Sequence, residues 1–205
     1  MKIRYLAALS LSIAVATAAF AGETKKDAAP PEMSAEEKAM MDAWQKAATP
    51  GDAHKQLVAQ FEGTWTTKQT MWMDPSKPPT SESGKSVNTP VFGGRQLRMD
   101  YNSQFMGQPF EGVGYTGYDN VKGKYVSSWM DNMSTGLFVS EGDYDAASKT
   151  YTYHAQMPDP MKPGTMVPMR DVVRVVDNDH HVFEMYETRD GKEVKTMQIE
   201  YARVK

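Results

Sequence analysis

The chain has 205 residues, which is enough for one domain with a core of its own. Its 23 basic and 26 acidic side chains give a net charge of −3, and the basic residues form no stripe along the chain. This balance excludes a nucleic-acid partner of the usual kind, which needs clustered Lys and Arg against phosphate. There is no cysteine, so disulfides and a lipid-modified cysteine are both excluded.

The first residues have the pattern of a cleaved secretory signal. Lys2 and Arg4 give a positive start, an apolar run extends from Leu6 to Phe20, and Ala-Phe-Ala at 19–21 is a small-x-small cleavage site. The run is shorter than the ~20 apolar residues that a membrane span needs. We therefore predict a signal peptide over 1–21, cut after Ala21, and a periplasmic or secreted mature chain without a transmembrane segment.

A polar tether and a helical segment follow. Residues 22–33 are polar and contain prolines, which is typical of a flexible tether. Ser34 and Glu37 form a capping box, in which each side chain bonds the backbone of the other residue at the start of a helix. A second short helix begins at Asp52, so the sequence predicts one or two short α-helices over 34–61.

From Gly63 onward the apolar period changes from about four residues to two, which indicates strands. Turn signals divide the rest of the chain into about ten segments. A meander of that many strands favours one antiparallel sheet closed into a barrel over 62–205, because closure removes exposed edges. A sandwich remains an alternative, since strand number does not fix closure. The predicted strands are 63–73, 81–91, 94–106, 109–118, 123–131, 135–144, 149–157, 165–176, 180–189 and 192–204.

Several short motifs stand in a characteristic order along this segment. They are Gly63-Thr64-Trp65, Phe92-Gly93-Gly94-Arg95, the run from Met106 to Gly112, Gly117-Tyr118-Asp119-Asn120, the run from Trp129 to Gly136, the run from Met157 to Met161, and the run from Asp179 to Tyr186. From about Pro50 to Lys205 the chain resembles a bacterial family known as a domain of unknown function, number 1579. The resemblance implies a calycin-like, lipocalin-like β-barrel. It implies no established activity, ligand or catalytic residue.

The opening motif also resembles the first strand of a lipocalin-type barrel. In such barrels the tryptophan closes one end of the barrel, often beneath an arginine from the last strand. The resemblance therefore implies a structural pair formed by Trp65 and Arg203, with the guanidinium stacked on the indole.

The first helix carries Met41 and Trp44 on its apolar side. An apolar helix face needs a surface to cover it. Two arrangements fit the pattern equally: a lid over one mouth of the barrel, or packing against the barrel wall.

The function expected of an exported barrel is to hold a small apolar or amphipathic molecule without catalysis. No nucleophile motif, metalloprotease motif or defined pair of carboxylates is present, so no catalytic residue and no cofactor are predicted. Large side chains on the strands are expected to form the pocket wall. The candidates are Trp129, Met133, Tyr153, Met185 and Tyr186.

Two other functions remain open. The 16 methionines fit either an adaptable apolar cavity or a soft-metal site, and His154, Met157 and Met161 are the candidate Cu(I) ligands. Haem binding through His154 or His181 is a related hypothesis, although His180 and His181 face opposite sides if they lie in a strand. The third hypothesis is a barrel with a filled interior that serves as an envelope interaction module. The oligomeric state is not predicted.

Overall fold

The computed structural model describes residues 32–74 and 76–205. The predicted signal peptide and nearly all of the predicted tether lie outside these residues. Two helices, α1 (Ala35–Ala48) and α2 (Asp52–Phe61), precede ten strands. No helix within the described residues is both long and apolar enough to cross a membrane. The strands are β1 (Gly63–Met71), β2 (Thr80–Val91), β3 (Gln96–Phe105), β4 (Gln108–Asp119), β5 (Lys124–Asp131), β6 (Phe138–Asp145), β7 (Thr150–Pro158), β8 (Met166–Val175), β9 (His180–Arg189) and β10 (Lys192–Arg203).

The ten strands form one closed antiparallel barrel, as predicted. Each strand pairs with the next along the chain, and β1 pairs with β10 to close the sheet. The closing register places Trp65 opposite Arg203 and Met71 opposite Met197. Because successive side chains alternate between the two faces, one half of each strand lines the interior and the other half faces solvent.

Helix α1 touches the barrel only near its C-terminal end. Its first turn has the predicted capping box, with Ser34 Oγ accepting from Glu37 N–H and Glu37 Oε2 accepting from Ser34 N–H. The Asn120 side chain, in the turn between β4 and β5, donates to the carbonyls of Lys46, Ala47 and Thr49.

The described residues leave the apolar face of α1 uncovered. Trp44 keeps 69% of its surface exposed, and Met41 is also exposed. The helix is therefore neither a lid on the open mouth nor a layer against the wall, because its contacts are made by carbonyls of the last turn and the residue after it rather than by this face.

Helix α2 plugs one end of the barrel. Leu57 and Phe61 are buried against inward-facing Leu97, Tyr125 and Tyr151. The glutamines of the same helix bond tyrosine hydroxyls of the strands: Gln56 with Tyr151, and Gln60 with Tyr144 and Tyr151. We call this end, where β1 begins and β10 ends, the closed end, and the opposite end the open end.

The last carbonyls of α2 have no partners within the helix and are bonded instead by strand side chains. Trp65 Nε1 and Asn88 Nδ2 donate to the Phe61 carbonyl at 3.0 and 2.9 Å. Arg203 donates to the carbonyls of Gln60 and Glu62, and its guanidinium carbon lies 4.1 Å from the centre of the Trp65 ring. The positive charge also lies at the negative end of the helix dipole, which is the favourable arrangement.

We predict that Arg203→Ala lowers the free energy of unfolding by at least about 2 kcal/mol, since it removes charged hydrogen bonds to two otherwise unpaired carbonyls and a cation–π contact. Urea denaturation followed by tryptophan fluorescence measures the change. Arg174→Ala is the matched control, because Arg174 lies exposed on the outer face of β8. Equal stability losses in the two variants would contradict the prediction.

Candidate functional site

The candidate site is the barrel interior above the α2 plug. Trp129, Tyr153 and Met185, three of the predicted wall residues, occupy inward positions on β5, β7 and β9. Tyr186 faces outward, where the guanidinium carbon of Arg170 lies 4.2 Å from the centre of its ring. Adjacent residues of a strand cannot share a face, so Met185 and Tyr186 cannot both line the wall.

Met133 also lies away from the interior. It sits in the connection between β5 and β6 with most of its side chain exposed, and its backbone N–H donates to Asp131 Oδ1. The residue contributes to the rim of the open end rather than to the wall.

The interior above the plug contains unfilled space. Ser127, Phe183 and Met185 point into the closed barrel, yet each is only half-buried. In a closed sheet the exposed surface of such side chains can only face the inside of the barrel or its mouth. The space above the plug is therefore not completely filled by side chains.

Glycines on β4 make room for the largest wall residue. A Cβ placed on Gly112 would lie 2.2 Å from Trp129 Cζ2, and one on Gly114 would lie 3.0 Å from Trp129 Cε3. The indole therefore lies directly on the inner face of β4, where it also stacks with Phe110. These glycines leave the space that the indole occupies.

The methionines fall into two groups. One group faces the interior and includes Met99, Met169, Met185 and Met197, of which Met169 is fully buried. The other group lies exposed at the open end, where Met73, Met106, Met133 and Met161 each occupy a different strand connection. Both the wall and the rim of the mouth are therefore lined by flexible apolar thioethers.

Most polar groups of the interior are paired. Tyr101 donates to Gln69 Oε1 at 3.0 Å and accepts from Thr67, and Trp129 Nε1 donates to Asp131 Oδ2 at 2.8 Å. At the open end, Arg189 bonds both Glu187 and Asp159.

Besides His181, whose buried Nδ1 has no hydrogen-bond partner among the described residues, Asp171 is the exception among these polar groups. It points inward from β8, between Tyr153 on β7 and Met185 on β9, and is only 8% exposed. Its Oδ1 is buried and has no hydrogen-bond partner among the described residues. Desolvation raises the pKa of this carboxyl to about 7.

His181 is the second buried titratable group of the interior. Its ring lies 4.2 Å from Tyr201 in a stacked arrangement and 4.4 Å from Trp65 edge-on, next to Phe61 of the plug. Desolvation, followed by the charge of Arg203, lowers its pKa to about 3. The imidazole is therefore neutral and packs as an aromatic ring at the closed end.

The candidate copper ligands do not converge. His154 is exposed on the outer face of β7, Met157 lies on the inner face, and Met161 is 84% exposed in the connection to β8. Within the described part of the chain, no three His, Cys, Asp or Glu side chains are grouped as metal ligands either. For haem, His154 points away from the interior and His181 is enclosed by aromatic rings.

Asp171 was not among the residues singled out from the sequence, although a signal for it was present. Val167, Met169, Asp171 and Val173 alternate along one face of β8, so a single carboxylate interrupts an apolar row. Strand alternation alone would have placed this carboxylate inside the barrel.

The comparison with protein families agrees with the resemblance found in the sequence. The model of the family described as "Protein of unknown function (DUF1579)" matches residues 49–203. The chain belongs to this family. No curated protein matches its sequence.

Two solved structures share the architecture. Rv2717c from M. tuberculosis is 14% identical, with a TM-score of 0.56, and the match covers 77% of this chain and 100% of that one. The S-type phycobiliprotein lyase CPES from Guillardia theta is 10% identical, with a TM-score of 0.51, and the match covers 75% and 93% of the two chains. Both are lipocalin-like barrels. At these identities the likeness is one of fold alone.

We predict that the raised pKa of Asp171 makes the free energy of unfolding depend on pH. The native carboxyl holds its proton more tightly than an ordinary carboxyl with a pKa of 3.8, so the native state loses stability as pH rises from about 3.8 to about 7. Asp171→Asn lacks this loss. Its free energy of unfolding, relative to that of wild type, should therefore increase by about 2 kcal/mol between about pH 5 and about pH 8. Urea denaturation at the two pH values measures it.

Asp143→Asn serves as the control, since Asp143 lies exposed on the outer face of β6. This variant should show no such pH-dependent gain. A constant difference between Asp171→Asn and wild type across the pH range would contradict the prediction.

Proposed function

We propose that the protein binds a small apolar or amphipathic molecule inside the barrel and does so without catalysis. The observation that carries the proposal is the incompletely filled interior around Ser127, Phe183 and Met185. Closed barrels of this size hold small ligands when side chains do not fill them. The wall combines aromatic and thioether side chains with placed polar groups such as Gln69 and Ser140, and small-molecule pockets likewise pair an apolar lining with polar groups that orient the ligand.

The rim of the open end supports the same proposal. Exposed methionines at four strand connections surround the mouth, while helix α2 blocks the other end. An apolar ligand would therefore meet an apolar, adaptable surface on its way in, and only one end offers entry. The lipocalin-like architecture shared with the two solved barrels supports a container and does not indicate its contents.

We predict that the wild-type protein binds Nile red, a neutral dye whose fluorescence increases and shifts to the blue in apolar surroundings. Ser127→Phe should abolish the binding, because the added ring projects into the interior beside Thr116, the hydrogen-bond partner of Ser127. Ser128→Phe is the matched control, since Ser128 faces outward on the same strand. A fluorescence titration measures both variants.

Equal loss or equal retention of dye binding in the two variants would overturn binding inside the barrel. Circular dichroism and urea denaturation of the variants verify that the barrel remains folded, so that a loss of binding reports the blocked interior.

We further propose that this binding takes place in the periplasm or outside the cell, because 1–21 has the features of a secretory signal. Expression of the full sequence in a bacterium should yield mature protein that begins at Gly22 in the periplasmic or culture fraction, as read by intact-mass measurement. Ala21→Arg should block the cut and leave the precursor. An uncut wild-type chain confined to the cytoplasm would contradict the proposal.

A further inference from the structure

Asp171 places on the inward face of β8 a carboxyl group whose Oδ1 has no hydrogen-bond partner among the described residues. We propose that Asp171 anchors the positively charged end of the ligand, and that the ligand is an amphipathic amine whose apolar part lies against the aromatic and methionine wall. This inference rests on the proposed function, because it names the chemistry of the molecule that the interior would hold.

The first argument is the missing hydrogen bond. A buried acceptor without a partner costs free energy, and proteins seldom leave one in that state. Other polar groups of the interior, such as Tyr101 and Gln69, are bonded to each other, and within the described residues His181 Nδ1, at the closed end, is the one other buried polar side-chain atom without a partner. Oδ1 of Asp171 has no such partner among the described residues, and Asp171 occupies an inward position of β8 between Tyr153 and Met185. An N–H group of a ligand would supply the missing hydrogen bond.

The second argument is the charge of the groups that face Asp171. On the neighbouring strands the inward positions hold Tyr153 and Ala155 of β7, and Met185 of β9, none of which is charged. Burial raises the pKa of Tyr153 far above its usual value, so its hydroxyl stays neutral. Further along β9, Glu187 is paired with Arg189, and His181 is held neutral at the closed end.

Basic side chains on the inward face of the described barrel lie only at its ends. Arg203 is held by the carbonyls of the plug, and Arg189 and Lys192 lie at the open rim. The middle of the interior therefore contains a carboxylate and no cation. Glu82 and Asp131 add carboxylates on inward positions towards the open end. The negative charge of these groups favours a cationic ligand and disfavours a carboxylate or phosphate ligand.

The third argument is the aromatic wall. Tyr153 lies directly opposite Asp171 in the register, and Phe183 occupies the next inward position of β9 after Met185. Aromatic faces attract ammonium groups, most strongly where water is excluded. A carboxylate beside aromatic rings suits a substituted ammonium group better than a neutral hydrogen-bond donor.

The experiment uses three probes of equal chain length below their micelle-forming concentrations: decyltrimethylammonium, decanol and decanoate. Displacement of Nile red at about pH 8 measures the affinity of each probe for the wild-type protein, for Asp171→Asn and for the control Asp143→Asn. We expect the preference for the cation over the alcohol to be at least about tenfold stronger in wild type and in the control than in Asp171→Asn. All three proteins should bind Nile red.

The pH dependence gives a second readout that needs no variant. The trimethylammonium group does not titrate, so a change in its affinity reports on the protein. The pKa of Asp171 is raised to about 7, and protons therefore compete with the cation below neutral pH. The affinity of wild type for decyltrimethylammonium should rise at least about tenfold from about pH 5 to about pH 8, while that for decanol stays level.

The outcomes separate the two proposals. An unchanged cation preference in Asp171→Asn, or decanoate as the strongest probe, overturns the amine inference while Nile red binding keeps the container function. Absence of Nile red binding in the wild-type protein overturns the proposed function itself, and the amine inference with it.

Discussion

The C-terminal carbonyls of α2 impose the constraint on which the rest of the structure depends. A helix end enclosed by a barrel must find hydrogen-bond donors, because water cannot reach all of its carbonyls. Trp65, Asn88 and Arg203 supply them from β1, β2 and β10. The same bonds that satisfy the helix also hold it in the end of the barrel. The interior consequently has one closed end and one mouth. This difference between the two ends determines which part of the wall is free and from which side a ligand can enter.

Desolvation acts in opposite directions on the two buried titratable groups of the interior. His181 stays neutral, so the native state loses stability as pH falls from 6.5 towards about 3. Asp171 holds its proton, so the native state loses stability as pH rises from 3.8 towards about 7. Each effect has a slope of about 1.4 kcal/mol per pH unit. Between 3.8 and 6.5 the two slopes have opposite signs and cancel, so an apolar interior can contain both groups with little net effect of pH on stability.

The fold was predictable from the sequence because it depends on local signals. Turn residues and the two-residue period located all ten strands to within a few residues, and the capping box of Ser34 located α1. The site was harder to predict, because a wall residue is defined by which face of its strand it occupies. Met185 and Tyr186 are both large, yet only one of them can face inward.

Other features depend on the closed three-dimensional arrangement. The exposure of Trp44 could not be deduced from an amphipathic helix, since it follows from where Asn120 holds the last turn. The position of Asp171 was readable from the alternation of β8, but the absence of a partner for its Oδ1 becomes apparent only when the facing strands are in place. Sequence patterns therefore indicate which side chains are inside and do not show which of them are unpaired.

The pairing of β1 with β10 has a consequence for how the chain reaches its folded state. Every other strand pair joins neighbours in the sequence and can form as a local hairpin, whereas this one joins the first and last strands of the barrel. Until β10 has been synthesised, the growing sheet has two open edges, which are templates for pairing with other chains. The barrel can therefore close only after its last strand is made, and a chain interrupted before that point is left with an aggregation-prone edge.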